Sequence, residues 1–140
     1  MAKHFYAELE FPAGNNETIV ACNMVMSLDG KVTADGRQPS SLGSSFDLLT
    51  MHVIRSHFDA VLAGGKTIRQ FPFYLGVRTE LAEARVKKGL ISQPLSVLLT
   101  RSGNLDANTP LFTNPPRPPV IITSSDGAKK LDYEIKRQSK

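Results

Sequence analysis

The sequence has no tryptophan, a single cysteine and no long apolar run. Cys22 alone cannot form a disulfide within the chain, and no second cysteine stands near a histidine at the spacing of metal ligands. The longest apolar run is far shorter than the roughly 18 residues of a membrane span, and the N-terminal MAKHFYAELEF lacks the apolar core of a secretion signal. We therefore expect a cytoplasmic protein that has no membrane partner and no metal site.

Side chains arranged for hydrolysis are also lacking. His52 and His57 are five residues apart, so they do not share the helix face that metal ligands at i and i+4 would occupy. Four aspartates stand at predicted turns and helix starts, where this residue is favoured for backbone reasons: Asp29, Asp35, Asp47 and Asp59. The sequence predicts neither a catalytic triad nor a pair of catalytic carboxylates.

The positive charge of the chain is concentrated in one segment. The net charge is +4 over 140 residues, yet the segment 66–101 alone holds seven cations and two anions. Such a field would attract nucleic acid, an acidic protein or a phosphorylated small molecule equally well. An ordinary solvated basic surface is the remaining interpretation, and charge alone does not choose among the four.

The order of apolar segments predicts an α/β domain with a largely parallel sheet. A chain of this length, 41% hydrophobic, suits one domain with a single core. Strands are predicted at 18–26, 59–63, 95–100 and 120–123, the first covered on both faces. Helices are predicted at 45–57, from Lys66, at 79–88, and from Asp126 through Ala128, Leu131 and Ile135.

Two turns follow predicted strands and could present a site. Ser27 to Gly30, SLDG, ends the first strand, and its composition suits either a simple chain reversal or a ligand contact. Gly64 and Gly65 precede Lys66 and Thr67, but Ala60 stands where a nucleoside triphosphate loop needs glycine. Two interpretations of this Gly-Gly segment remain. It could let a ligand approach the backbone closely, with the start of the following helix favouring an anion, or it could be only a tight turn.

These segments together resemble a known family. The pieces are SLDGK, a Ser-capped helix that ends in Arg55, DAVLAGGKTI, LGVR and SVLLTRSGNL, in this order over residues 20–123. The combination resembles the reductase domain of riboflavin biosynthesis, which is the C-terminal domain of bifunctional deaminase-reductases. That domain has the dihydrofolate-reductase-like fold, a mostly parallel central sheet flanked by helices.

The resemblance implies an activity and a cofactor. NADPH would deliver a hydride to the sugar of a ribosylaminopyrimidine 5′-phosphate and so convert ribosyl to ribityl. The protein would hold the nicotinamide against the sugar and exclude competing water, which needs no triad or metal. A homodimer and a phosphorylated small-molecule substrate are the partners that the resemblance implies, with no nucleic acid.

The resemblance also implies residue roles on the substrate side. Asp29 would orient the reacting sugar as the catalytic residue of the SLDGK turn, which also contains Lys31. Arg55 and Arg78 match positions that hold the substrate, where a guanidinium suits phosphate. Leu75 matches an apolar substrate contact.

On the cofactor side, the backbone of Met26 would lie beside the nicotinamide. Thr67 matches a cofactor contact, with Gly64 and Gly65 allowing close approach. The turn formed by Thr100, Arg101 and Ser102 matches the position at which proteins of the family contact the adenosine phosphate of NADPH.

The chain departs from the family pattern at three places. Phe71 stands where the family usually has aspartate, Pro72 is displaced by one position, and Ser41 replaces a common tryptophan. The family continues past the position of Lys140 with further strands, a Gly-Gly turn and a glutamate that meets the substrate. We therefore expect residues 1–140 to form a single incomplete domain that lacks its C-terminal portion. We expect a fragment, with pairing to a separate C-terminal piece or to another copy as the alternatives.

Two other functions stay open at this point. A dihydrofolate-reductase-like enzyme could reduce another ring substrate with NADPH. A non-catalytic module could instead use the basic segment to bind nucleic acid or an acidic partner, with an affinity that falls steeply with salt.

Overall fold

The computed structural model describes residues 6, 8–11, 18–32, 43–72 and 74–139. The chain divides into two compact units, residues 1–54 and residues 55–140. Within the described residues, no helix is long and apolar enough to cross a membrane.

The second unit contains a three-stranded parallel sheet in the order β1-β2-β3. The strands are β1 (Ala60–Gly64), β2 (Leu95–Thr100) and β3 (Val120–Thr123). Gly64 lies opposite Leu99, and Thr100 lies opposite Thr123, so all three strands end at the same edge. The predicted α/β class with a parallel sheet is confirmed.

Six helices are described: α1 (Ser45–Arg55), α2 (Gly65–Gln70), α3 (Thr79–Lys87), α4 (Pro110–Thr113), α5 (Ser125–Lys130) and α6 (Tyr133–Gln138). The predicted serine cap of α1 is present, since the Ser44 hydroxyl accepts a hydrogen bond from the Asp47 amide at 3.2 Å. The single helix predicted near the C-terminus is wrong. Leu131 is extended, and the Asp132 carboxylate accepts from the Glu134 amide at 2.8 Å, which starts a second helix.

The strand predicted at 18–26 is also wrong. This segment forms no strand, and the side chains of Val20, Met24 and Met26 are 70% or more exposed. An apolar sequence favours a buried strand, but a strand also needs a neighbour for its backbone hydrogen bonds. Among the described residues, no strand pairs with this segment.

The core of the second unit lies on one face of the sheet. Leu98 is fully buried at the centre of β2, and Ile68 of α2, Phe112 of α4 and Ile135 of α6 pack in the same cluster. The sequence did not predict α4, a four-residue helix with Pro110 in its first turn. On the other face, side chains of the three strands remain about half exposed or more: Leu62, Leu99 and Ile122.

A buried arginine joins two loop segments of the second unit. Arg85 of α3 is 2% exposed, and its guanidinium donates to the backbone oxygens of Ser56, Phe58 and Ile91, each at 2.8 Å. Burial lowers the pKa of Arg85, and the charge of Asp59 opposes that shift. The guanidinium therefore supplies the hydrogen-bond donors for three backbone oxygens.

Replacement of Arg85 by methionine is expected to destabilise the protein. Three carbonyl oxygens would lose their donor, so the free energy of unfolding should fall by about 3 kcal/mol. Urea unfolding followed by circular dichroism measures this loss. Arg137→Met is the control, because Arg137 is largely exposed and pairs with Glu134 of its own helix; it should cost about 0.5 kcal/mol or less. Equal losses in the two variants would contradict the structural role of Arg85.

Candidate functional site

A shallow cleft of about 300 Å³ lies at the edge where the parallel strands end. Ligands of open α/β sheets bind at this edge, outside the carboxyl ends of the strands. The junction of β1 with α2 forms one side of the cleft, and the end of β2 forms the other. The lining residues are Gly65, Lys66, Arg69, Leu99, Thr100, Arg101 and Ser102.

The two glycines between β1 and α2 differ in their surroundings. A Cβ atom at Gly65 would lie 2.9 Å from the Cβ and Oγ1 atoms of Thr100, so a side chain there would push the two strand ends apart. A Cβ atom at Gly64 would meet nothing within 4 Å. Gly65 therefore permits close packing of the strand ends, whereas Gly64 leaves its backbone open to a ligand.

The cleft is cationic. Lys66, Arg69 and Arg101 line it, and no carboxylate is among its lining residues. The Arg69 guanidinium donates to the backbone oxygen of Asn104 at 3.0 Å, and the Ser102 hydroxyl accepts from the Asn104 amide at 3.3 Å. The Ser102 hydroxyl can still donate its own hydrogen to a ligand oxygen. This donor set suits an anion such as a phosphate group.

The loop after β2 is held against α5. The Ser124 hydroxyl donates to the backbone oxygen of Arg101 at 2.9 Å and accepts from the Gly127 amide at 3.0 Å. Gly103 has a φ of +66°, and a Cβ atom there would lie 2.0 Å from the Gly127 oxygen. Arg101 and Ser102 are therefore carried by a loop whose backbone is fixed by hydrogen bonds and close packing.

The segment before α3 carries two of the predicted substrate residues. Arg78 is exposed at the N-cap of α3, and its backbone oxygen accepts from the Leu81 and Ala82 amides at 3.0 and 2.9 Å. Leu75 is 2% exposed and packs in the core, so its side chain offers almost no surface to a ligand. The third predicted residue, Arg55, is half-buried at the end of α1, and burial lowers its pKa.

The SLDG turn belongs to the first unit. The Gly30 amide donates to the Ser27 oxygen at 2.9 Å, and Gly30 has a φ of +79°. The Ser27 hydroxyl donates to the Asp29 carboxylate, and the Lys31 ammonium lies 3.0 Å from it. These two contacts hold the pKa of Asp29 below its ordinary value of 3.8, and the hydrogen bond from Ser27 has the larger effect. The turn therefore reverses the chain and also presents an exposed, ionised carboxylate.

The structure brings together four of the residues predicted for the cofactor: Gly65, Thr100, Arg101 and Ser102. Gly64 adjoins them, whereas Thr67 is exposed on α2 and does not line the cleft. Met26 and Asp29 lie in the other unit, and their roles stay predictions.

Lys66 and Arg69 were not among the residues predicted for the site, although both line the cleft. Lys66 and Arg69 are three residues apart at the start of α2, and this spacing could have indicated them, because residues about one helical turn apart share a face. Within the described part of the chain, no group of three metal-binding side chains forms a metal site.

Replacement of Gly103 by alanine is expected to cost more stability than replacement of Gly89, which has a similar φ of +76° but open space at its Cβ. Gly89→Ala should cost about 1 kcal/mol, the price of the left-handed backbone alone. Gly103→Ala adds a backbone clash and should cost about 3 kcal/mol or more. Urea unfolding of the pair measures the difference, and equal losses would contradict the close packing of this loop against α5.

Comparison with known proteins places this architecture in a family. The family model of the RibD C-terminal domain matches residues 18–136. A solved pyrimidine reductase-like protein from Corynebacterium diphtheriae shares the fold with a TM-score of 0.73 at 23% identity, and the match covers 84% of this chain and 51% of that protein. The chain therefore spans about half the length of this relative. No curated protein matches the chain. The match over most of its length shows that the chain belongs to the RibD C-terminal domain family, the reductase family of riboflavin biosynthesis that its motifs resemble.

Proposed function

We propose that this chain acts in an NADPH-dependent reductase that converts the ribosyl group of a ribosylaminopyrimidine 5′-phosphate to ribityl. The observation that carries the proposal is the cationic cleft at the carboxyl edge of the sheet. Four residues that the family pattern assigns to the cofactor line this cleft, and two further cations stand beside them.

The residues of the cleft fit a phosphorylated dinucleotide. NADPH differs from NADH by a 2′-phosphate, and Arg101, Lys66 and the Ser102 hydroxyl offer two charges and a neutral donor to such a group. The open backbone at Gly64 suits the close approach of a second phosphate. The volume of about 300 Å³ suits one part of the cofactor, the adenosine end.

When bound, the cofactor supplies the hydride, and the protein has to bind, orient and shield the reacting groups. Asp29 is ionised, so it can accept a hydrogen bond from a sugar hydroxyl but has no proton to donate. Arg78 stands at the N-terminal end of a nine-residue helix, where the helix dipole adds to its charge in favour of a phosphate. Arg55 would supply a second guanidinium for the same substrate.

Replacement of Arg101 by alanine is expected to weaken NADPH binding about 30-fold, because a charge-assisted contact to the 2′-phosphate is lost. NADH affinity should change by less than about twofold. Titration of the protein with each cofactor, followed by nicotinamide fluorescence, measures both constants. Lys130→Ala, an exposed cation outside the cleft, is the control. Equal losses for both cofactors would contradict the 2′-phosphate assignment, and no binding of either by the wild type would reject the cofactor.

Replacement of Asp29 by asparagine is expected to lower kcat at least about tenfold, with the Kd of NADPH within about twofold of wild type. Asparagine can still accept from the Ser27 hydroxyl, so the turn should persist. Steady-state assays with the ribosylaminopyrimidine phosphate measure kcat. Unchanged turnover in Asp29→Asn would remove this residue from the reaction, and turnover of dihydrofolate instead would replace the proposed substrate.

The acid side of the pH profile is also expected to be independent of Asp29. Its pKa is lowered in the folded protein, so its charge is present above 3.8 and is lost only as the pH falls through the lower folded value. No loss of kcat between pH 7 and 5 should come from this carboxyl. An acidic limb near pH 5 that disappears in Asp29→Asn would contradict the lowered pKa.

A further inference from the structure

The side-chain amide of Gln93 pairs with both backbone polar groups of Val77. Its Oε1 accepts from the Val77 amide at 2.9 Å, and its Nε2 donates to the Val77 oxygen at 3.1 Å. A neighbouring strand would hold a residue by the same two hydrogen bonds. The pair therefore fixes the peptide units on both sides of Val77, and the second of these leads directly into Arg78.

The segment around Val77 is also held by packing. Leu75 and Val77 are 2% and 7% exposed. A Cβ atom at Gly76 would lie 1.9 Å from Cε1 of Tyr74 and 2.5 Å from Oε1 of Gln93. The tyrosine ring and the glutamine amide thus occupy the place of a side chain at Gly76, and little room remains for the segment to shift toward them.

Gln93 is itself anchored to the sheet. The Arg117 guanidinium donates to its backbone oxygen at 3.3 Å. Pro94 follows and is fully buried, and the amide of Leu95, the first residue of β2, donates to the Asp59 oxygen at 2.8 Å. The side chain of Gln93 therefore connects a fixed point at the start of β2 to the segment that carries Arg78.

We propose that Gln93 is a positioning residue for the substrate phosphate, acting through Val77 on the placement of Arg78. This inference rests on the proposed function, in which the Arg78 guanidinium binds that phosphate. Arg78 is exposed and has a long side chain, so its placement depends on the backbone that carries it. The helix hydrogen bonds fix this backbone on the C-terminal side, and Gln93 fixes it on the N-terminal side.

The test compares Gln93→Met, which keeps the length of the side chain and loses both hydrogen bonds, with Gln93→Glu, which keeps only the acceptor. Gln70→Met is the matched control on the exposed surface of α2, outside the cleft. Ribose 5-phosphate serves as the binding probe, since it carries the phosphate and the sugar of the substrate without the pyrimidine ring. Its Kd is measured by NMR titration, with the Val77 amide and the Arg78 side chain as reporters.

Gln93→Met is expected to raise the Kd of ribose 5-phosphate and the KM of the ribosylaminopyrimidine phosphate about five- to tenfold. The kcat and the NADPH affinity should stay within about twofold of wild type, and Gln93→Glu should move the same constants in the same direction. In an Arg78→Ala background, Gln93→Met should have no further effect on KM, because the residue that it positions is gone. A loss of global stability alone would not make the effect of Gln93→Met on KM depend on the presence of Arg78.

Three results would overturn the proposal. One is a KM in Gln93→Met equal to that of wild type and Gln70→Met. Another is an equal effect of Gln93→Met with and without Arg78, and the third is a substrate KM that Arg78→Ala leaves unchanged. The function can fail separately: if the wild type binds ribose 5-phosphate at Arg78 but turns over no substrate with NADPH, the reductase assignment is rejected while the positioning by Gln93 is supported.

Discussion

The carboxyl ends of the three parallel strands lie at one edge of the sheet, and the chain segments that follow these strands are packed closely together. Gly65 lies against the Thr100 side chain, and Gly103 lies against the backbone of Gly127, so neither position leaves room for a Cβ atom. α2 and α5 begin at this edge, because each follows its strand almost at once. The close packing brings Lys66, Arg69 and Arg101 to one cleft from segments far apart in the chain.

The positions of the polar and charged groups in the cleft depend on the packing of the backbone around them. Arg101 and Ser102 are of types that are common on protein surfaces. Hydrogen bonds from the Ser124 hydroxyl and the Asn104 amide nevertheless fix the loop that carries them. The same principle applies at Arg78, where the Gln93 amide holds the preceding residue. In both places a neutral side chain fixes the backbone that carries a charged one, so less conformational entropy is lost when a ligand binds.

The buried guanidinium of Arg85 shows the limit of reading charge from sequence. Arg85 belongs to the basic segment that suggested a ligand-attracting surface, but it is 2% exposed and serves three backbone oxygens. Its charge therefore contributes to the interior of the fold. The cations that remain available to a ligand in the cleft are the ones that flank the two strand ends.

Several elements were predictable because their signals are local. The bounds of β2 and β3 at 95–100 and 120–123 follow from short apolar runs between turn residues, and the start of α1 follows from its serine cap. The split of the last helix at Leu131 depends on the Asp132 carboxylate, a cap that apolar spacing does not reveal. The strand expected at 18–26 failed for the opposite reason, because its apolar residues indicate burial while strand pairing depends on a distant partner.

The sequence by itself determined the family, the α/β class and most of the residues that line the cleft, because these reside in short motifs whose order is read along the chain. Only the tertiary structure decided that Lys66 and Arg69 join Arg101, that Leu75 and Arg85 are buried, and that Gln93 holds Val77. Each of these contacts joins segments that are distant in sequence or depends on packing against them. Their formation follows from how the strands and helices pack, which local sequence patterns do not specify.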